Sequence, residues 1–215
     1  MGQSATLYLK DFPNSHIYCF EPVDVTFNQL QELFKGNGRV ECFRLALGAA
    51  NSTGEMALCG NSDQFFLLRQ SKEVPTTTYK TEAVEITTLD EFCRTKGIDH
   101  IDYLKVDTEG GDLDVLRGSV TLLREQRIDF VQVEAGMNPT NKLHVRFEEL
   151  KRFLETHKYY LFGIYEQVNE FFSGQPHLRR TNPVFISCSM IDKSKSMEIG
   201  QAEALSRQPL DERYV

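Results

Sequence analysis

Residues 101–118 read Ile101-Asp-Tyr-Leu-Lys-Val-Asp-Thr-Glu-Gly-Gly-Asp-Leu-Asp-Val-Leu-Arg-Gly118, and their reading decides the fold. Ile101 to Asp107 is a short run of β-formers, and Tyr103, Leu104 and Val106 suit a central strand buried on both faces. It ends in Asp107-Thr-Glu109-Gly-Gly111, where the period changes from two to between three and four. Leu113, Leu116, Val120 and Leu123 then make one buried helical stripe. Asp112 and Asp114 fall in the first turn and Arg124 and Arg127 towards the end, as the helix dipole favours. A strand, an acidic glycine turn and an amphipathic helix in direct succession form the repeating unit of a parallel α/β sheet.

The same alternation extends in both directions. Upstream, Ser4 to Asp11 has helical spacing and stops before Pro13, and His16 to Phe20 is a strand that delivers Glu21-Pro22 to its tip. Asp24 to Lys35 carries Phe27, Leu30, Leu33 and Phe34 on a helical period and halts at Gly36-Asn37-Gly38. Val40 to Leu47 reads as the next strand. From about 49 to 89 the helical period is lost, and Gly54–Leu58 and Ala83–Thr87 predict short antiparallel strands around a polar loop, a β insertion where a doubly wound fold has a helix. Leu89 to Lys96 is a short helix. Downstream, Asp129 to Glu134 is a strand tipped by a carboxylate, followed by a loop through Pro139 and a helix with Phe147, Leu150 and Leu154 on one face. Tyr160–Tyr165 and Pro183–Cys188 supply two closing strands. The expected fold is an α/β sheet with helices on both faces over residues 1–188, and 189–215 is a polar tail or a short appended helix.

Composition narrows the function classes. The 215 residues carry a formal charge of −7, which disfavours broad nucleic-acid binding, and the short basic run His177-Leu-Arg-Arg reads as a solvated loop. No apolar run reaches the ~18–20 residues that span a bilayer, and the N-terminus lacks the pattern of an export signal, so no membrane partner and a cytoplasmic location are expected. The five cysteines are odd in number and scattered, without a Cys-x-x-Cys pair, which argues against disulfides and a zinc site.

Three acidic strand tips, Glu21, Asp107 and Glu134, are the candidates for chemistry, because ligands of open α/β sheets bind outside the carboxyl ends of the strands. Any one of them alone is ordinarily a solvated residue where a strand meets a loop. Three together, two within the compact turns Phe20-Glu-Pro22 and Lys105-Val-Asp-Thr-Glu-Gly110, point to a site. A carboxylate at an early tip accepts both hydroxyls of a ribose, and Glu21 has that position.

In order, Phe20-Glu-Pro22, Leu45-Ala-Leu-Gly48, Leu104-Lys-Val-Asp-Thr-Glu-Gly110 with Leu116-Arg-Gly118, and Val131-Gln-Val-Glu134 resemble the signature of FkbM-type methyltransferases, over roughly residues 2 to 188. The resemblance implies a class I, Rossmann-like sheet that binds S-adenosylmethionine. By it Glu21, with Pro22, holds the cofactor ribose, Ala46 and Leu47 line the adenine, and Asp107 faces the methionine end or the acceptor. The family pattern opens with a strand and an acidic, Gly-rich turn. Met1-Gly2-Gln3-Ser4-Ala5 reads as the end of that turn, so the first strand is expected to be missing, with Gly2, Gln3 and Ser4 left at the cofactor. Family analogy makes the acceptor a hydroxyl of a sugar, glycan or related small molecule, hence O-methylation.

An alcohol acceptor must lose a proton, and Asp107, Glu109 and Glu134 are the candidate catalytic bases, with His144 a fourth. The expected order puts Asp107 first and has Glu109 ordering the Gly110-Gly111 turn and capping the next helix, while His144 reads as a surface residue. No metal is expected, because Asp107 and Glu109 lack an evident third ligand. A nicotinamide-dependent oxidoreductase ranks below methyl transfer for want of a Gly-x-Gly-x-x-Gly turn. The other alternative is a non-catalytic Rossmann-like binding domain.

Overall fold

A computed structural model describes residues 2–58, 65–67, 80–170 and 175–196. The loop of the β insertion, with Cys59, and the segment 197–215 lie outside the described residues.

The elements run α1 (Gln3–Asp11), β1 (Ile17–Phe20), α2 (Asp24–Leu33), β2 (Val40–Phe43), β3 (Ala46–Leu47), β4 (Ser52–Leu58), β5 (Phe66–Leu67), β6 (Lys80–Thr87), α3 (Leu89–Lys96), β7 (Ile101–Lys105), α4 (Asp112–Arg117), α5 (Val120–Arg124), β8 (Ile128–Gln132), β9 (Ala135–Gly136), α6 (Phe147–Thr156), β10 (Tyr159–Asn169) and β11 (Leu178–Ser187). They form the expected α/β architecture, with the β insertion as an antiparallel β4–β6 pair. Residues 188–196 are helical. No described helix is long and apolar enough to cross a membrane.

The main sheet has the order β10-β11-β8-β7, and β1-β2 is a separate parallel pair. Among the described residues β7 is therefore bonded on one side only, to β8, and β1 on one side only, to β2. This explains a departure from the sequence reading at Tyr103, which is 40% exposed rather than buried. Its face of β7 is flanked by Tyr8 of α1, the two rings edge to face at 5.7 Å, while Leu104 and Val106 on the other face are buried. The principal core lies on that second face. Leu116, Leu123, Val131, Leu150, Leu154 and Phe185 are fully buried there, so truncating any one of these leucines to alanine costs roughly 2–5 kcal/mol.

Two expected elements are broken. The strand expected over Val40–Leu47 splits at Arg44, whose guanidinium reaches Asp24 at 3.1 Å and Glu82 at 3.0 Å. The chain leaves β1 after the Phe20–Phe43 pair and joins β6 at Ala46–Ile86. The helix expected to run from Asp112 past Leu123 divides into α4 and α5 at Gly118-Ser119. Gly118 presses on the carbonyl of Gly48, leaving no space for a Cβ, and Asp90 of α3 accepts from the backbone of Thr121 and Leu122 at 2.8 and 3.0 Å. A side-chain cap on these N–H groups starts a new helix where one continuous helix would have no free donors.

Candidate active site

The tip of β1 places Glu21 against the turn into α2. Its Oε1 accepts from the backbone of Val23 at 3.0 Å, and burial pushes its carboxyl above the usual range despite the Thr26 hydroxyl and that backbone donor. A desolvated carboxylate short of donors is a fit for the paired hydroxyls of a ribose. Pro22 is half-buried beside it. Val23 packs in one small apolar cluster with Ala46, so the Glu21 tip and the Ala46-Leu47 bridge to β6 are neighbours.

At the other edge Lys105, the last residue of β7, spans two of the predicted groups. Its ammonium donates to Asp107 at 2.8 Å and to Ser4 of α1 at 3.0 Å, tying the first turn of α1 to the β7 tip. Gly2 caps that helix at φ 73°, against Leu33 and Phe34, and Gln3 is exposed. Ser4 and Asp107 thus meet through Lys105 at the carboxyl end of β7, while Gly2 packs on the C-terminal end of α2. Asp107 itself is 41% exposed at the side chain.

Glu109 and Glu134 meet elsewhere, around a buried imidazole. The three donor atoms of Glu109, Glu134 and His144 lie within 4.8 Å of one another. Glu134 follows β8 and is 4% exposed; His144, in the loop before α6, is 7% exposed rather than the surface residue its polar surroundings predict. His144 Nε2 stands 2.9 Å from Glu134 Oε2 and 3.7 Å from Glu109 Oε2. Its Nδ1 sits against the Asn141 side-chain amide at 2.9–3.1 Å, and Asn141 is anchored by its Nδ2 donating to the carbonyl of Arg179 at 3.1 Å. The other oxygen of Glu134 pairs with Arg180 at 2.5 Å.

Glu109 reaches this centre because its backbone is left-handed, φ 49°, which turns its side chain out of the line of β7. It does not cap the following helix, whose N-cap is Gly111 with no side-chain bond. Gly110, at φ 93°, lies directly against the carbonyl of Leu143, locking the turn to the loop that carries His144. Burial first, then the charge of Glu134, pushes the Glu109 carboxyl up to about 7, against the pull of His144 and Arg180.

Beneath them Asp112 is fully buried, where the sequence placed it only as a favourable charge at a helix start. Its two oxygens accept from the Glu134 backbone N–H and the Thr108 hydroxyl, both at 2.9 Å, and burial pushes its carboxyl up to about 6. Asp112→Ala strands the buried Glu134 N–H and releases the Thr108 hydroxyl, and is expected to lower stability by about 1–3 kcal/mol. Urea unfolding reads this as a lower midpoint at unchanged slope; an unmoved midpoint means these two bonds do not hold the β8 tip.

Sequence reasoning missed Arg180, Asn141 and the structural task of Asp112. Arg180 was covered by the solvated-loop reading of His177-Leu-Arg-Arg. The one available hint was Asn141 three residues before His144, the spacing at which an amide can turn back onto a local ring or backbone.

Residues 2–161 match the model of the Methyltransferase FkbM domain. The chain belongs to the FkbM methyltransferase domain family. No curated protein matches it. Among solved structures, methyltransferase FkbM from Methylobacillus flagellatus KT superposes with a TM-score of 0.55 at 15% identity, over 86% of this chain and 40% of that one. At that identity the likeness speaks to fold, and the FkbM domain described here spans less than half the length of that solved chain.

Proposed function

We infer that this FkbM domain transfers a methyl group from S-adenosylmethionine to a hydroxyl of a sugar, glycan or related small molecule. The observation that carries the reading is two groups of acids beyond strand ends: Glu21 beside the Ala46-Leu47 segment, and the Glu109/Glu134/His144 centre, whose Glu109 follows Asp107 in the turn that Lys105 ties to Ser4. When bound, the cofactor supplies a sulfonium methyl, which moves to an oxygen nucleophile by in-line displacement, a step governed by positioning and exclusion of water.

This chain's residues account for the rest. Glu21, beside Pro22, would accept the ribose hydroxyls, Ala46 and Leu47 would flank the adenine, and Asp107, steadied by Lys105, would serve the methionine end with Gly2, Gln3 and Ser4. Glu109, the most open member of its centre with 26% of its side chain exposed against 5% for Glu134 and 3% for His144, meets the acceptor hydroxyl. Glu134 and His144 hold Glu109's surroundings fixed, and the hydroxyl proton leaves past the open side of Glu109 as the oxygen attacks. An open cleft of about 490 Å³ begins at the same loop, where Asn138, Arg146, Glu149 and Arg152 offer polar groups to an acceptor.

Calorimetry with S-adenosylmethionine and its demethylated product tests the cofactor half, and transfer of labelled methyl to a panel of free sugars and glycans tests the acceptor half. Binding without transfer to any hydroxyl favours a non-catalytic binding domain; no binding of either compound sinks the reading. Glu21→Ala is expected to weaken product binding by about 1.5–3 kcal/mol, the scale of hydrogen bonds to a charged group, roughly 10- to 150-fold in Kd. Unchanged affinity in a folded variant removes Glu21 from the ribose.

A further inference from the structure

We propose that Glu109, Glu134 and His144 form a binding site for one divalent first-row cation of the Mn²⁺ type. Two observations carry it. The first is convergence: two carboxylates and an imidazole from three separate segments bring their donor atoms within 4.8 Å of one another. The second is an orphaned atom. Glu134 Oε2 is buried without a hydrogen bond, although His144 Nε2 is only 2.9 Å away, so the two atoms approach without the alignment that an N–H···O bond needs. Two ligand atoms each about 2.1 Å from a shared cation and at right angles to one another stand roughly 3 Å apart. The unbonded contact has that spacing, and Glu109 Oε2, 3.7 Å from the same nitrogen on a more open side chain, closes the third position.

The neighbours agree with a cation. Asn141 grips the imidazole at Nδ1, which fixes the ring and leaves Nε2 facing the carboxylates, the outer-shell arrangement of a ligating histidine. Arg180 occupies Glu134 Oε1 and leaves Oε2 to the ion. Two carboxylates, Glu109 and Glu134, share one guanidinium in this pocket, while the nearby Asp107 has its own partner in Lys105. A dication balances that excess. Mixed carboxylate and imidazole donors suit Mn²⁺ or a neighbouring first-row ion over Ca²⁺, which takes six to eight oxygens. The other convergent group, His100, Asp102 and Asp129, also has an unbonded buried oxygen, Asp129 Oδ1, but His100 and Asp102 are exposed, His100 Nε2 is already bonded to Asp129 Oδ2 at 3.0 Å, and Lys193 stands 4.0 Å from Oδ1.

Binding rests on this geometry alone; the cation's task rests on the methyltransferase reading. There the acceptor oxygen completes the coordination and becomes more acidic. Its proton leaves past the open side of Glu109 to water, and the O–C bond forms as the S–C bond breaks, releasing the demethylated cofactor. The test uses the full chain stripped with chelator, titrated with Mn²⁺ alone by calorimetry and electron paramagnetic resonance, with the demethylated cofactor titrated separately. One Mn²⁺ per chain is expected, bound at least 10-fold more weakly in both Glu109→Gln and His144→Gln. Thermal melting adds a readout tolerant of a poorly folding variant, because Mn²⁺ should raise the Tm of the parent and not that of Glu109→Gln. Absence of saturable Mn²⁺ binding overturns the site even where the demethylated cofactor binds, and so does Mn²⁺ affinity unchanged in both variants. Mn²⁺ binding without cofactor binding supports the cation site while removing the methyltransferase reading.

Discussion

Glu109→Gln is expected to lower methyl transfer by about 100-fold or more while leaving affinity for the demethylated cofactor unchanged, the scale set by losing a group that manages a proton in the transition state. Glutamine has the shape and reach of glutamate, so the left-handed backbone at φ 49° and the contact with His144 can persist. What disappears is the negative charge that meets the acceptor. Asp107→Asn is the comparison that gives this result meaning. From sequence, Asp107 ranks first, because it stands at the strand end. In the structure it is an open carboxylate neutralised by Lys105 at 2.8 Å, whereas burial beside Glu134 raises the proton affinity of Glu109 to about 7. Asp107→Asn should therefore act mainly through cofactor affinity, by loosening the Lys105 link to Ser4. Steady-state kinetics with separate cofactor titrations distinguish the two. Near-normal turnover in Glu109→Gln with turnover lost in Asp107→Asn restores the order expected from sequence and removes Glu109 from the acceptor.

What the sequence made legible here was local. The period change at Asp107–Asp112, the Glu21-Pro22 tip and the stripe through Leu150 and Leu154 each depend on neighbours within a few residues, and each is where it was expected. The departures arise from contacts distant in the chain. α4 and α5 part because Gly118 meets Gly48 and because Asp90 caps the second helix, and nothing in the apolar period of residues 113–123 encodes either event. Tyr103 carries a strand-core pattern but lies on a strand bonded on one side only among the described residues.

The candidate site divides the same way. Glu21, Asp107, Glu109 and Glu134 are visible as acids at strand ends. His144 and Arg180 are not, because their burial is created by pairing. β11 runs beside β9 and sets Arg180 opposite Gly136, while Gly136 bridges to Arg146 and folds the loop holding His144 under the β8 tip. A histidine in a polar loop and an arginine in a basic pair give no sign of this until the strands are in register. The chemistry of the centre is thus a property of the closing hairpin as much as of the strand tips.

That interlock predicts a large effect at a residue with no side chain. Gly110→Ala is expected to destabilise the chain by about 3 kcal/mol or more, from two separable causes. At φ 93° an L-residue is strained, which costs on the order of 1–3 kcal/mol. In addition, the new Cβ collides with the backbone carbonyl of Leu143, and a backbone atom cannot rotate aside as a side chain does. The 108–111 turn and the 141–146 loop must then separate, carrying Glu109 away from His144. Gly97→Ala isolates the first cause, since Gly97 also has positive φ, 69°, but no atom lies within 4 Å of where its Cβ would stand. It should cost about 1 kcal/mol. Urea denaturation of both variants measures the difference, and thermal melting should place Gly110→Ala roughly 6–12 °C below the parent at about 2–4 °C per kcal/mol for a domain of this size. The same variant should lose Mn²⁺ and methyl transfer together while it still binds the demethylated cofactor through Glu21, because the cofactor edge does not depend on that contact. Equal destabilisation by the two alanines means the turn does not bear on the loop, and the joint between Glu109 and His144 must be held by something other than Gly110.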